Sequence, residues 1–62
     1  MQGKTIAKTK MNRGNVLLYE YGKAYAVEDT AGKVYYFPIE GGLKAACDKY
    51  KELVAKAQSN NN

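Results

Sequence analysis

A run of apolar residues at helical spacing near the C-terminus sets the frame for the whole chain. Leu43, Ala46, Cys47, Tyr50, Leu53, Val54 and Ala57 recur at i, i+3, i+4, i+7. Lys44, Asp48, Lys49, Lys51, Glu52 and Lys56 fill the opposite side. Such a helix holds together only when its apolar stripe is covered. The residues ahead of Gly41-Gly42 can supply that cover. Those residues read as strands. The expected class is therefore α+β, a small four-stranded antiparallel meander with one C-terminal helix on one face (ββββα).

Turn chemistry divides the first part of the chain. A first strand is expected over Lys4–Met11, where Thr and Ile alternate with Lys. Asn12-Arg13-Gly14-Asn15 has the composition of a turn. A second strand is expected over Val16–Tyr21, broken by Gly22-Lys23, and a third over Ala24–Asp29. Thr30-Ala31-Gly32 reads as a three-residue hairpin loop with Gly32 in the left-handed position. The fourth strand, Lys33–Ile39, contains Pro38, which lacks an N–H and so belongs at an edge or a strand end. The organisation expected is one domain over 1–58 and a disordered polar tail over 59–62. A domain this short buries only about 60% of its unfolded surface, so its core is thin.

One helix covers one face of such a sheet, and the other face must meet solvent, a ligand or a second subunit. With Thr30-Ala31-Gly32 as the loop, Val27 pairs with Tyr35 and Tyr25 with Phe37. These bulky residues, with Ile39, suit the helix side and leave Ala24, Ala26, Val34 and Tyr36 on the free side. The second strand has two registers, and a slip of one residue inverts it. A two-residue Gly22-Lys23 turn sends Val16 and Leu18 to the core and Tyr19 and Tyr21 to the free face. A three-residue loop Tyr21-Gly22-Lys23 does the reverse. Gly at the first turn position favours the two-residue form, a type II′ turn. Lys8 and Lys10 belong on the free face in either case, because an unpaired buried ammonium is very costly.

The charge distribution adds to this. Lys4, Lys8, Lys10 and Arg13 meet no acidic residue before position 14, whereas the six later lysines are matched by six acids, so the net charge of +4 resides at one end. A local basic strip points to a negatively charged partner. Lysines beside tyrosines on an open sheet suit single-stranded nucleic acid: Lys neutralises phosphate and flat rings stack on bases. The residues expected to carry binding are Lys4, Lys8, Lys10, Arg13, Tyr19, Tyr21 and Tyr36. Ala24 and Ala26 would leave room for a base or backbone to approach. Glu28, expected on the same face, repels phosphate. The plainer reading is a solvated lysine edge that resists aggregation beside tyrosines chosen for strand propensity. A protein partner or a second copy of the chain, as a homodimer, would also fit the same face or an exposed edge strand.

The sequence argues against several other classes. It has no histidine and a single cysteine, which removes histidine acid–base chemistry, an internal disulfide and a cysteine-cluster metal site. No cofactor or metal is expected. Cys47 and Tyr50 lie on the helix stripe and read as core. Gly41-Gly42 reads as a flexible connector, since no phosphate-loop Lys-Ser/Thr pattern follows it. Glu20, Glu28 and Asp29 do not converge in the favoured register, and no nucleophile–base pair is present, so the chain is read as non-enzymatic. No apolar run approaches a membrane span and no secretory h-region is present, so a cytoplasmic location is expected. Size is the sole ground for a further expectation, an origin in a phage or mobile element.

In order of elements alone, the chain resembles whirly-like single-stranded DNA-binding domains, which dimerise and bind through a curved sheet. It also resembles the three-strand-plus-helix DNA-binding domains of some integrases and plant transcription factors, whose sheet enters the major groove. No motif in the sequence ties it to either family.

Overall fold

In the computed structural model, which describes residues 3–11 and 14–59, four strands form one antiparallel sheet in the order β1-β2-β3-β4. The strands are β1 (Lys4–Met11), β2 (Gly14–Tyr21), β3 (Ala24–Glu28) and β4 (Val34–Pro38), followed by α1 (Leu43–Ser59). The expected ββββα architecture is the observed one. Several boundaries differ from expectation: β3 ends at Glu28 rather than Asp29, and β4 runs Val34–Pro38 rather than Lys33–Ile39. Gly14 and Asn15 belong to β2, because Gly14 pairs opposite Met11 and Asn15 opposite Lys10. Ser59 belongs to the helix, so the tail cannot begin there, and 60–62 lie outside the described residues.

Each described turn has a local cause. Gly22 has φ +62°, and no residue other than glycine has positive φ among the described residues, Lys23 included. That combination is a two-residue turn with one left-handed position, as in type II′. Tyr21 accordingly pairs with Ala24 and Glu20 with Tyr25. At the next loop the Asp29 N–H donates to the Lys33 carbonyl at 2.9 Å and the Gly32 N–H to the Asp29 carbonyl at 3.0 Å. Gly32 takes the left-handed position with φ +90°. The Asp29 Oδ1 accepts the N–H groups of both Ala31 and Lys33 at 2.9 Å, so this carboxylate organises the loop.

The core lies between the sheet and α1. Val16, Leu18 and Val27 from the sheet are buried against Ala46 and Leu53 of the helix. Ala7, Met11, Tyr25, Tyr35, Phe37, Cys47, Tyr50 and Val54 pack around them, partly buried. Leu43, at the first position of the helix, is 45% exposed and falls outside this core despite its place in the periodic pattern. The Tyr50 hydroxyl and Thr9 Oγ1 hydrogen-bond across the layer, tying the helix to edge strand β1. Gly41-Gly42 is a tight joint rather than a flexible connector. Gly42 is buried, and a Cβ there would fall 1.9 Å from the Pro38 carbonyl oxygen. The helix can leave β4 this closely only because position 42 has no side chain. Its first internal bond runs from the Ala46 N–H to the Gly42 carbonyl at 2.9 Å.

Candidate functional site

The registers decide what the uncovered face carries. Tyr19 lies opposite Ala26, and Ala26 opposite Tyr36, so one row across the sheet reads Thr5, Tyr19, Ala26, Tyr36. The adjacent row reads Tyr21, Ala24, Pro38. On the other side of the first row lie Lys8, Leu17, Glu28 and Val34, and beyond them Lys10 and Asn15. Side chains in paired positions share a face. Tyr19, Tyr21, Tyr36, Lys8 and Lys10 are therefore brought together on the face opposite the helix. The two-residue turn at Gly22 is what puts the two β2 tyrosines there.

One expected site residue, Lys4, is not part of this set as placed. β1 carries a register shift between Thr5 and Ala7, where Ile6 is the extra residue. Strict alternation would put Lys4 on the side of Lys8 and Lys10. The bulge instead pairs Lys4 with Glu20, whose side chain belongs to the helix side with Tyr25. Lys4 thus points away from the tyrosines, next to an acid. Arg13 lies outside the described residues. Lys23 is a cation near this face that sequence reasoning missed: it is exposed in the Gly22-Lys23 turn, one residue from Ala24. Its place beside a Gly-first turn that follows Tyr21 was the available signal.

The centre of the face is aromatic and its margins are charged. Tyr19 and Tyr21 pack edge-to-face, with ring centroids 6.5 Å apart and planes at 80°. Tyr21 is 52% exposed and Tyr36 63%, whereas Ala26 beneath the first row is fully buried. Partial burial raises the Tyr19 hydroxyl above its ordinary pKa, and the negative charge of Glu28, then Tyr36 and Tyr21, push in the same direction. Lys8, Lys10 and Lys23 make no ion pair with any described residue. Glu28 is the acidic residue of this face. On the helix, by contrast, Lys44 pairs with Asp48 and Lys49 with Glu52, both at 3.4 Å. Lys49 also lies over the Tyr35 ring, 4.5 Å from its centroid.

The helix side offers less chemistry. A cleft of about 170 Å³ is lined by Asp29, Thr30, Tyr35, Leu53, Lys56 and Ala57. It is below the usual size of a small-molecule site, and its carboxylate is engaged in the loop bonds described above. Among the described residues no group of three or more His, Cys, Asp or Glu could hold a metal ion. No helix of the described chain is long and apolar enough to cross a membrane.

Fold and face together define a four-stranded α+β module with one basic, aromatic sheet surface left uncovered. No family, no curated protein and no solved structure matches the chain.

Proposed function

We propose that this protein is a non-enzymatic binding module that takes nucleic acid on its uncovered sheet face. The observation that carries the reading is the shared placement of Tyr19, Tyr21 and Tyr36 with unpaired Lys8 and Lys10 opposite the helix. Exposed rings supply stacking surface for bases, and the lysines supply charge for the backbone. Lys8, Lys10 and Lys23 offer up to three phosphate contacts, which gives a log–log salt slope of about −2 on a single strand.

The test is binding of labelled single-stranded and duplex oligonucleotides at about 50 mM salt, repeated with Lys8→Glu/Lys10→Glu. The double substitution should weaken binding at least tenfold and flatten the salt slope by about 1.4, which is 0.7 per phosphate. Undiminished binding by the variant refutes the assignment to this face. Ile6, Tyr21 and Tyr36 leave apolar surface in water, which also suits a protein partner or a second copy of the chain. Association of that kind would be insensitive to nuclease and only weakly dependent on salt.

A further inference from the structure

The two small residues on the uncovered face differ in a way that points to how a ligand is held. Ala26 has a tyrosine on each side in its own row, Tyr19 and Tyr36, and is fully buried. Those side chains close over it, so the room expected there from sequence is taken. Ala24, one row away, has Tyr21 on one side and Pro38 on the other, with Tyr36 on the diagonal, and it stays partly exposed. Ala24 is thus the floor of a notch whose walls are Tyr21 on β2 and Tyr36 with Pro38 on β4. The backbones of β2 and β4, on either side of β3, lie about two strand spacings apart, roughly 10 Å, more than the about 7–8 Å that a flat ring stacked between two others takes. Tyr21 and Tyr36 are both more than half exposed.

We propose that this notch takes one unpaired nucleobase, so that the ligand of the face is single-stranded nucleic acid rather than duplex; this rests on the nucleic-acid reading above. The charges agree with a strand in this position. Lys23 sits in the turn beside the Tyr21 wall, and Lys8 and Lys10 lie on the far side of the tyrosine row, so a backbone passing over the notch meets cations in both directions. The two rows around the notch present Thr5, tyrosines, alanines and proline. Their flat rings suit stacking on an unpaired base, which a duplex keeps inside its own stack.

The test uses the unaltered full chain and three labelled probes at about 50 mM salt: a thymidine strand of about twelve nucleotides, an abasic strand of the same length, and a blunt duplex. Stacking of one base corresponds to about 5- to 150-fold in affinity. The thymidine strand should bind at least fivefold more tightly than either of the others. Ala24→Leu, which fills the notch, should lower binding of the thymidine strand by a similar factor and leave the abasic strand unchanged. Tyr36→Leu, which removes the stacking wall at an exposed site, should do the same and serves if Ala24→Leu fails to fold. Equal binding of abasic strand or duplex overturns the notch while leaving the nucleic-acid reading in place. Failure to bind any of the three overturns both.

Discussion

Adjacent leucines in β2 give a sharp test of the register on which the site depends. Leu18 is 2% exposed in the core, whereas Leu17 lies on the uncovered face opposite Lys8 and Glu28 and is only partly buried. Leu18→Ala removes buried methyl groups and leaves a cavity that the surrounding Val16, Val27 and Leu53 fill only in part. The expected cost is about 3–5 kcal/mol. A domain of this length has only about 3–9 kcal/mol in total, so the variant should be largely unfolded or should melt at least 10 °C lower. Leu17→Ala exposes no cavity and should cost about 1 kcal/mol or less. Thermal melts followed by far-ultraviolet circular dichroism, with urea midpoints as a second measure, separate these outcomes. A Leu17→Ala variant as destabilised as Leu18→Ala would mean that the strand is turned over. Tyr19 and Tyr21 would then face the helix, and the reasoning about the site would fail.

Other expectations follow from single contacts. Gly42→Ala should cost about 2–4 kcal/mol, because its Cβ meets the Pro38 carbonyl at 1.9 Å and only backbone movement relieves it. Gly41→Ala, at φ +75° but with nothing within 4 Å, should cost only about 1–2 kcal/mol, and the pair can be ranked by urea denaturation. Tyr50→Phe removes the hydrogen bond to Thr9 and should cost about 0.5–1.5 kcal/mol, with a Thr9→Val double-mutant cycle isolating the coupling. The raised pKa of Tyr19 means that the folded state holds its phenolic proton more tightly than the unfolded chain does. That contribution is fully present below about pH 10 and is lost as pH rises through the folded value, so alkaline stability should fall less steeply in Tyr19→Phe. Glu28→Gln removes the acid beside Tyr19 and should strengthen oligonucleotide binding about two- to threefold.

The sequence makes the layer arrangement legible because local signals agree with one another. The helix stripe, the Gly22-Lys23 and Thr30-Ala31-Gly32 turns and the Val27–Tyr35 pairing each point to the same sheet. The register of β2 was legible through one glycine, since type II′ geometry needs a positive φ at Gly22 and not at Lys23. What sequence reasoning missed depends on tertiary detail. Nothing in Lys4-Thr5-Ile6-Ala7 signals that Ile6 is the extra residue of a bulge, so the pairing of Lys4 with Glu20 is not legible in the sequence. The closure over Ala26 depends on tyrosines in two different strands, and the tightness of Gly42 on an approach to Pro38. The Asp29 loop bonds were within reach of sequence reasoning, since Asp ahead of a short Gly-containing loop commonly caps it.

The proposed nucleic-acid interface is the uncovered sheet face, and nuclear magnetic resonance mapping addresses this directly. Titrating a thymidine strand into labelled protein at about 50 mM salt should shift the ring signals of Tyr21 and Tyr36, the Ala24 methyl and the amides of Lys8, Lys10 and Lys23. Signals of Lys44 and Lys51 on the outer side of the helix should stay in place. Shifts centred on those helix lysines, with the Ala24 methyl and the tyrosine rings unmoved, would contradict it.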